Sequence, residues 1–79
     1  MTETEIEVDA CGLYCPLPVL RLARALRGEA AGRVVRLLAT DPVAVEDVAV
    51  FCRETPATLL ESRRDGDIFI FRIQKKASD

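Results

Sequence analysis

Polar and apolar residues alternate near the start of the chain and then change to a helical spacing. Residues 5–9, EIEVD, carry the alternation of a half-buried strand. From Leu17 to Arg27 the apolar side chains share one helical face, and three arginines recur on another. The predicted inner face consists of Val19, Leu22, Ala23 and Leu26, and the outer face of Arg21, Arg24 and Arg27. Gly28 is expected to end this helix.

A second strand and a second helix follow. Residues 33–40, RVVRLLAT, are β-branched and mostly apolar, which is typical of a central strand. Asp41 and Pro42 then form a helix-start signature, with a side-chain acceptor at the N-cap and proline at the first helical position. This helix is predicted to end near Arg53 and to bury Val45, Val48, Ala49 and Cys52.

Two strands complete the predicted fold. Residues 57–63 form the first, and Asp65-Gly66 suits the positive φ angles of a tight hairpin turn. The apolar segment 68–74, IFIFRIQ, forms the last strand. The βαβ unit at the start should be right-handed and parallel, and the closing hairpin is antiparallel. We therefore predict an α+β fold of βαβαββ order, a two-layer α/β sandwich with a mixed four-stranded sheet and both helices on one face.

Composition indicates one globular domain over residues 1–79 and argues against nucleic-acid or membrane binding as its function. The chain is 49% hydrophobic with a net charge of −2, which gives no overall attraction for nucleic acid or an anionic membrane. No apolar run approaches the ~18 residues needed to span a bilayer, and the acidic start does not resemble a secretory signal. We expect a cytoplasmic monomer that binds neither membrane nor nucleic acid directly, with residues 1–4 and 76–79 frayed.

The candidate chemistry lies in residues 10–20, ACGLYCPLPVL. Cys15 falls between the first predicted strand and helix, on a connection where functional groups tend to be displayed rather than buried as core. It takes the N-cap place of the helix, where the helix dipole favours thiolate, so its pKa is expected to be modestly lowered. Pro16 and Pro18 stiffen the loop and hold the thiol at an exposed tip.

The other two cysteines have different predicted roles. Gly12 permits a sharp turn that could bring Cys11 near Cys15. Cys11 is therefore a resolving thiol or a second acceptor, or else a strand-end residue packed against the first helix. Cys52 follows the core pattern of the second helix. The chain has no histidine, which excludes a Cys–His dyad, and the CxxxC spacing is not that of a structural zinc site, so no metal is expected. The reaction classes that remain for these cysteines are thiol exchange and sulfur transfer, with a partner supplying any acid or base.

The segment GLYCPLPVL, following a short strand that ends in Asp9-Ala10, resembles the CPxP motif of the TusA-like (SirA-like) sulfur carrier family. The similarity covers nearly the whole chain, and the family's fold is a two-layer α/β sandwich of βαβαββ order. It implies that Cys15 accepts a sulfane sulfur as a transient persulfide, without a bound cofactor, and relays it. The implied donor is a cysteine desulfurase or a rhodanese-like protein. The implied acceptors belong to pathways such as tRNA thiolation, molybdenum-cofactor assembly or sulfur oxidation.

The resemblance also implies partner contacts at Arg21, Arg24 and Asp41, although the arginines can equally be a solvated face and Asp41 only a cap. The chain departs from the family at Cys11, where many members carry another residue. A neighbouring thiol can attack a Cys15 persulfide, releasing sulfide and leaving a Cys11–Cys15 disulfide. Two alternatives therefore stay open: a dithiol redox or sulfide-releasing module, and a non-catalytic interaction domain.

Overall fold

The computed structural model describes residues 5–76, and the predicted βαβαββ order is confirmed there. The elements are β1 (Ile6–Ala10), α1 (Leu17–Arg27), β2 (Val34–Ala39), α2 (Val43–Glu54), β3 (Thr58–Asp65) and β4 (Ile68–Gln74). The predicted fraying of residues 1–4 and 77–79 lies outside the described residues, while Lys76 follows β4 as an exposed residue.

The four strands form one mixed sheet in the order β1-β2-β4-β3. β1 and β2 are parallel, with Ala10 opposite Ala39 at their ends. β4 pairs antiparallel with both β2 and β3. The apolar segments β2 and β4 occupy the two central positions, where strands are paired on both edges and are most shielded from water. α1 and α2 pack on the same face, which confirms the predicted two-layer α/β sandwich.

The core lies between the two helices and one face of the sheet. Alternate residues of β2 and β4 point into it, as the two-residue period of a strand requires. The fully buried side chains in the strands include Val35, Leu37, Phe71 and Ile73. α1 contributes Leu22 and Leu26 from its predicted inner face, which is confirmed.

The predicted inner face of α2 is wrong at Val45. Val45 is 40% exposed, and Ala44 and Val48 are the fully buried residues of this helix. Their spacing of four residues sets which side of the helix meets the sheet. Cys52 lies four residues further along and packs at the edge of the core, as predicted.

The hairpin turn between β3 and β4 falls one residue later than predicted. Asp65 still pairs with Ile68 as the last residue of β3, so Gly66 and Asp67 form the two-residue loop. Only Gly66 has a positive φ, of 63°, in this loop. Glycine at the first central position is the arrangement of a type II′ hairpin turn.

An ion pair on the helix-free face of the sheet makes stability pH-dependent. Nη2 of Arg72 lies 2.6 Å from Oε2 of Glu5, and this hydrogen bond lowers the pKa of Glu5. A carboxylate whose pKa is lowered by folding stabilises the fold above its unfolded pKa, and this contribution disappears as the pH falls through its folded pKa.

We expect Glu5→Gln to be slightly less stable than the wild type near neutral pH and equally stable in strong acid, below the folded pKa of Glu5. Urea unfolding at both pH values measures the difference. The exposed Glu54→Gln is the control, because Glu54 lies at the end of α2, away from Arg72. A difference for Glu5→Gln that persists at the lower pH would contradict this account.

Candidate functional site

The candidate site lies where the two parallel strands end. Because β1 and β2 run in the same direction and Ala10 is level with Ala39, the loops that follow them meet at one edge of the sheet. The backbone N–H of Gly12 donates to Oγ1 of Thr40 at 2.8 Å. Gly12 has a φ of +83°, which glycine adopts without strain, so its predicted loop-shaping role fits the backbone geometry.

Asp41 ties the Cys15 loop to the start of α2. Its Oδ2 accepts the backbone N–H of Cys15 at 2.9 Å, and its Oδ1 accepts the backbone N–H of Val43 at 3.1 Å. The predicted N-cap position of Asp41 is wrong by one residue: α2 begins at Val43 and its N-cap is Pro42, so Asp41 accepts the N–H of the first helical residue from outside the helix. With both oxygens bonded and only 9% of the residue exposed, Asp41 is a structural link between the two loops. Its role in partner contact stays a prediction.

The sequence predicts Cys15 at the N-cap of α1. In the structure Cys15 is exposed and lies one residue before the N-cap. The N-cap of α1 is Pro16, and Pro18 is the second residue of the helix and is buried. Neither proline has an N–H, so the positive end of this helix offers few donors to the thiol. The peptide bond between Cys15 and Pro16 is cis.

The expected lowering of the Cys15 pKa is wrong. The thiol donates a hydrogen bond to the carboxylate of Asp47, and this bond raises the pKa of Cys15. Desolvation by neighbouring atoms and the negative charges of Asp47 and Asp41 raise it further. Each of these effects favours the protonated thiol over the thiolate.

A cleft of about 290 Å³ opens beside the thiol, between the start of α1 and the middle of α2. Its lining combines apolar side chains with two carboxylates: Cys15, Pro16, Val19, Glu46, Asp47, Val50 and Phe51. Sequence reasoning missed Asp47. The predicted inner face, which included Val45 and Ala49, turns Asp47 away from the cleft, whereas the observed burial of Ala44 and Val48 places Asp47 at the edge of the inner face.

Cys11 has a separate environment from Cys15. Its backbone N–H donates to Oδ1 of Asp9 at 3.0 Å, and its half-buried thiol also bonds to Asp9. Burial first, and then Asp9, raises the pKa of Cys11, while the bonds from Cys11 lower the pKa of Asp9. All three cysteines are free, and the pKa of Cys52 is raised by burial. The proposed resolving role of Cys11 stays a prediction.

Exposed apolar and basic side chains surround the loop on the α1 side. Tyr14 is 74% exposed and Leu20 is 56% exposed. Arg21 and Arg24 are exposed on the outer face of α1, and their partner contacts stay predictions. Within residues 5–76, no group of three or more His, Cys, Asp or Glu side chains could hold a metal ion. Over the same range, neither helix has the length and apolar character to cross a membrane.

Comparisons with known proteins confirm the predicted resemblance. The family model for Sulfurtransferase TusA matches residues 6–75. Sulfur carrier protein TusA of Allochromatium vinosum is 41% identical over 75 residues, which cover 95% of this chain and 99% of that protein. The protein of the same name from Pseudomonas putida is 40% identical over 70 residues, covering 89% and 88%. The crystal structure of a SirA-like protein from Desulfitobacterium hafniense aligns with a TM-score of 0.79 at 26% identity, covering 90% of this chain and 97% of that one. The chain belongs to the TusA sulfurtransferase family.

Proposed function

We propose that this protein is a sulfur carrier that accepts a sulfane sulfur on Cys15 as a persulfide and delivers it to a partner protein. The observation that supports this most directly is the placement of Cys15. Its thiol is exposed on a loop that is fastened by backbone hydrogen bonds, and it lies beside a cleft with apolar walls. Relatives of similar length that share about 40% of the sequence are named sulfur carriers.

The transfer is a thiol exchange. The Cys15 sulfur attacks the outer sulfur of a persulfide on the donor protein, so one S–S bond forms on Cys15 and the S–S bond of the donor breaks. The donor cysteine leaves as a thiolate and takes up the proton that Cys15 gives up. Delivery repeats the exchange, with Cys15 as the leaving group. Electrons are conserved in both steps, so neither an oxidant nor a reductant is needed.

The cleft suits a persulfide. Its volume of about 290 Å³ has room for one additional sulfur atom beside Cys15. Val19, Val50 and Phe51 supply apolar walls, and divalent sulfur packs well against apolar and aromatic groups. The bonds to Thr40 and Asp41 hold the loop in place before a partner arrives, which reduces the entropy lost on docking.

A carrier needs a protein that loads it and a protein that unloads it. For the donor we propose a cysteine desulfurase or a rhodanese-like protein, acting in the cytoplasm, where thiols stay reduced. The docking surface we propose comprises the exposed apolar residues Tyr14, Leu17 and Leu20 with Arg21 and Arg24. Aromatic and arginine side chains are enriched at protein interfaces, which supports this choice.

Intact mass spectrometry tests the proposal. Reduced protein incubated with a sulfane-sulfur donor should gain the mass of one sulfur atom. Cys15→Ser should abolish the gain, because serine cannot form a persulfide, whereas Cys11→Ser and Cys52→Ser should keep it. Sulfur that still adds to the Cys15→Ser variant would contradict the assignment.

The same variants test the dithiol alternative. Cys11 and Cys15 bond to carboxylates on different elements, β1 and α2, so each thiol has its own partner at rest. Mild oxidation followed by thiol counting shows whether they combine. A reversible loss of two thiols in the wild type, absent from Cys11→Ser, would make Cys11 a resolving thiol and the protein a redox or sulfide-releasing module.

A further inference from the structure

The Cys15 thiol and the Asp47 carboxylate meet inside the cleft between α1 and α2. Asp41 is also near the thiol, but its two oxygens already accept the backbone N–H groups of Cys15 and Val43. Glu46 lines the same cleft, yet the charges that act on the thiol are those of Asp47 and Asp41. Asp47 is therefore the group that receives the thiol's hydrogen bond.

We propose that Asp47 is a positioning residue that holds the unloaded Cys15 thiol in the cleft between α1 and α2 until a basic group of a docked partner pairs with Asp47. The purpose of this arrangement rests on the proposed function, since a carrier whose unloaded thiol is oxidised or alkylated can no longer accept sulfur. Loading would then begin only in the complex.

The physical chemistry of the pair favours holding the proton over removing it. A carboxylate is a much weaker base than a thiolate, so it accepts the hydrogen bond without taking the proton. A bond to the neutral form of the thiol, together with a negative charge beside it, disfavours ionisation. The thiolate is the form that reacts with electrophiles and oxidants. The protonated Cys15 thiol is therefore protected from both while no partner is docked.

The surroundings of Asp47 leave it accessible to a partner. Among residues 5–76, no arginine or lysine forms an ion pair with Asp47. The residue is half-buried and borders the cleft opening, where exposed Glu46 adds a second negative charge. A basic side chain that docks there would neutralise Asp47 and take away the charge that holds the proton on Cys15.

Asp47→Asn imitates the neutralised carboxylate and provides the test. Unloaded full-length protein is alkylated with iodoacetamide over a range of pH values, and peptide mapping reads the rate at Cys15. We expect Asp47→Asn to react roughly three- to tenfold faster than the wild type near neutral pH, with its profile shifted to lower pH. Glu46→Gln is the matched control, because it removes a carboxylate from the same cleft but not the acceptor; its rate should stay within about twofold of wild type.

Two results would overturn the inference. One is an Asp47→Asn profile that coincides with that of the wild type or of Glu46→Gln. The other is slower alkylation of Asp47→Asn at every pH, which would mean that Asp47 acts as a base. Circular dichroism of each variant establishes that the fold is retained. Because the assay reads the unloaded thiol, its outcome is separate from that of the persulfide mass assay.

Discussion

Replacing Asp41 by alanine is expected to lower the free energy of unfolding by about 2–4 kcal/mol and to release the Cys15 loop. The substitution removes two acceptor oxygens, one for the N–H of Cys15 and one for the N–H of Val43. The first bond joins two loops that are 26 residues apart in the sequence, and the second satisfies the N–H of Val43, the first residue of α2. Water replaces these bonds poorly because Asp41 is only 9% exposed.

Urea unfolding measures the loss of stability, and amide hydrogen exchange of the Cys15 N–H reports release of the loop. Asp41→Asn keeps one acceptor oxygen, so it should lose about half as much stability as alanine. Exposed Glu54→Ala removes a carboxylate without such bonds and should change stability by about 0.5 kcal/mol or less. If Asp41→Ala matched Glu54→Ala in stability, or if the Cys15 amide exchanged no faster, Asp41 would not be the link between the loops.

The parts of the fold that could be predicted from sequence are those with a strong local pattern. The bounds of α1 agree with the prediction because its apolar and arginine faces repeat clearly and Gly28 follows its last residue. β4 agrees because its seven residues include three isoleucines and two phenylalanines, which are residue types that favour strands. The turn before it was displaced by one residue, since cross-strand pairing keeps Asp65 in β3 and the turn geometry requires only Gly66 to have positive φ.

The rotation of α2 could not be predicted because its sequence offers two apolar faces. Val45, Val48, Ala49 and Cys52 form one, and Ala44, Val48, Phe51 and Cys52 the other. At 100° per residue the two faces differ by roughly 60°, and only packing against the sheet selects the second. The first face would turn Asp47 away from α1, whereas the second brings it to the edge of the cleft.

The rotation of α2 also explains why the exposure of Cys15 could be predicted from sequence and the direction of its pKa shift could not. The exposure of Cys15 follows from local sequence, because the residue lies on a loop between a strand and a helix that begins near two prolines. The direction of its pKa shift depends on Asp47, which is 32 residues away in a helix whose orientation is a tertiary property. Because the chain has no histidine, the sequence predicts that any acid or base comes from a partner. The structure places a carboxylate beside the thiol instead, where it opposes ionisation.

Substitutions at two leucines of α1 test the stability of the fold and the proposed docking surface independently. Leu22 is fully buried in the core, so Leu22→Ala is expected to lower the free energy of unfolding by about 2–5 kcal/mol, from lost apolar burial and the cavity that remains. A domain of this size has only about 4–12 kcal/mol of stability, so Leu22→Ala would remove a large part of it. Leu20, two residues earlier, is 56% exposed, and Leu20→Ala should change stability by about 0.5 kcal/mol or less.

The substitution at Leu20 also tests whether a sulfur donor docks on α1 beside Cys15. Leu20→Ala removes apolar surface near the CPxP loop without disturbing the core, so it should slow sulfur loading from a donor protein. Loading from a small-molecule sulfane donor should be unchanged, since that reaction needs only the thiol. Urea unfolding and intact mass measure the two properties on the same samples. Equal loading rates with the donor protein for Leu20→Ala and wild type would remove Leu20 from the docking surface. A Leu22→Ala protein as stable as Leu20→Ala would mean that α1 does not anchor the core.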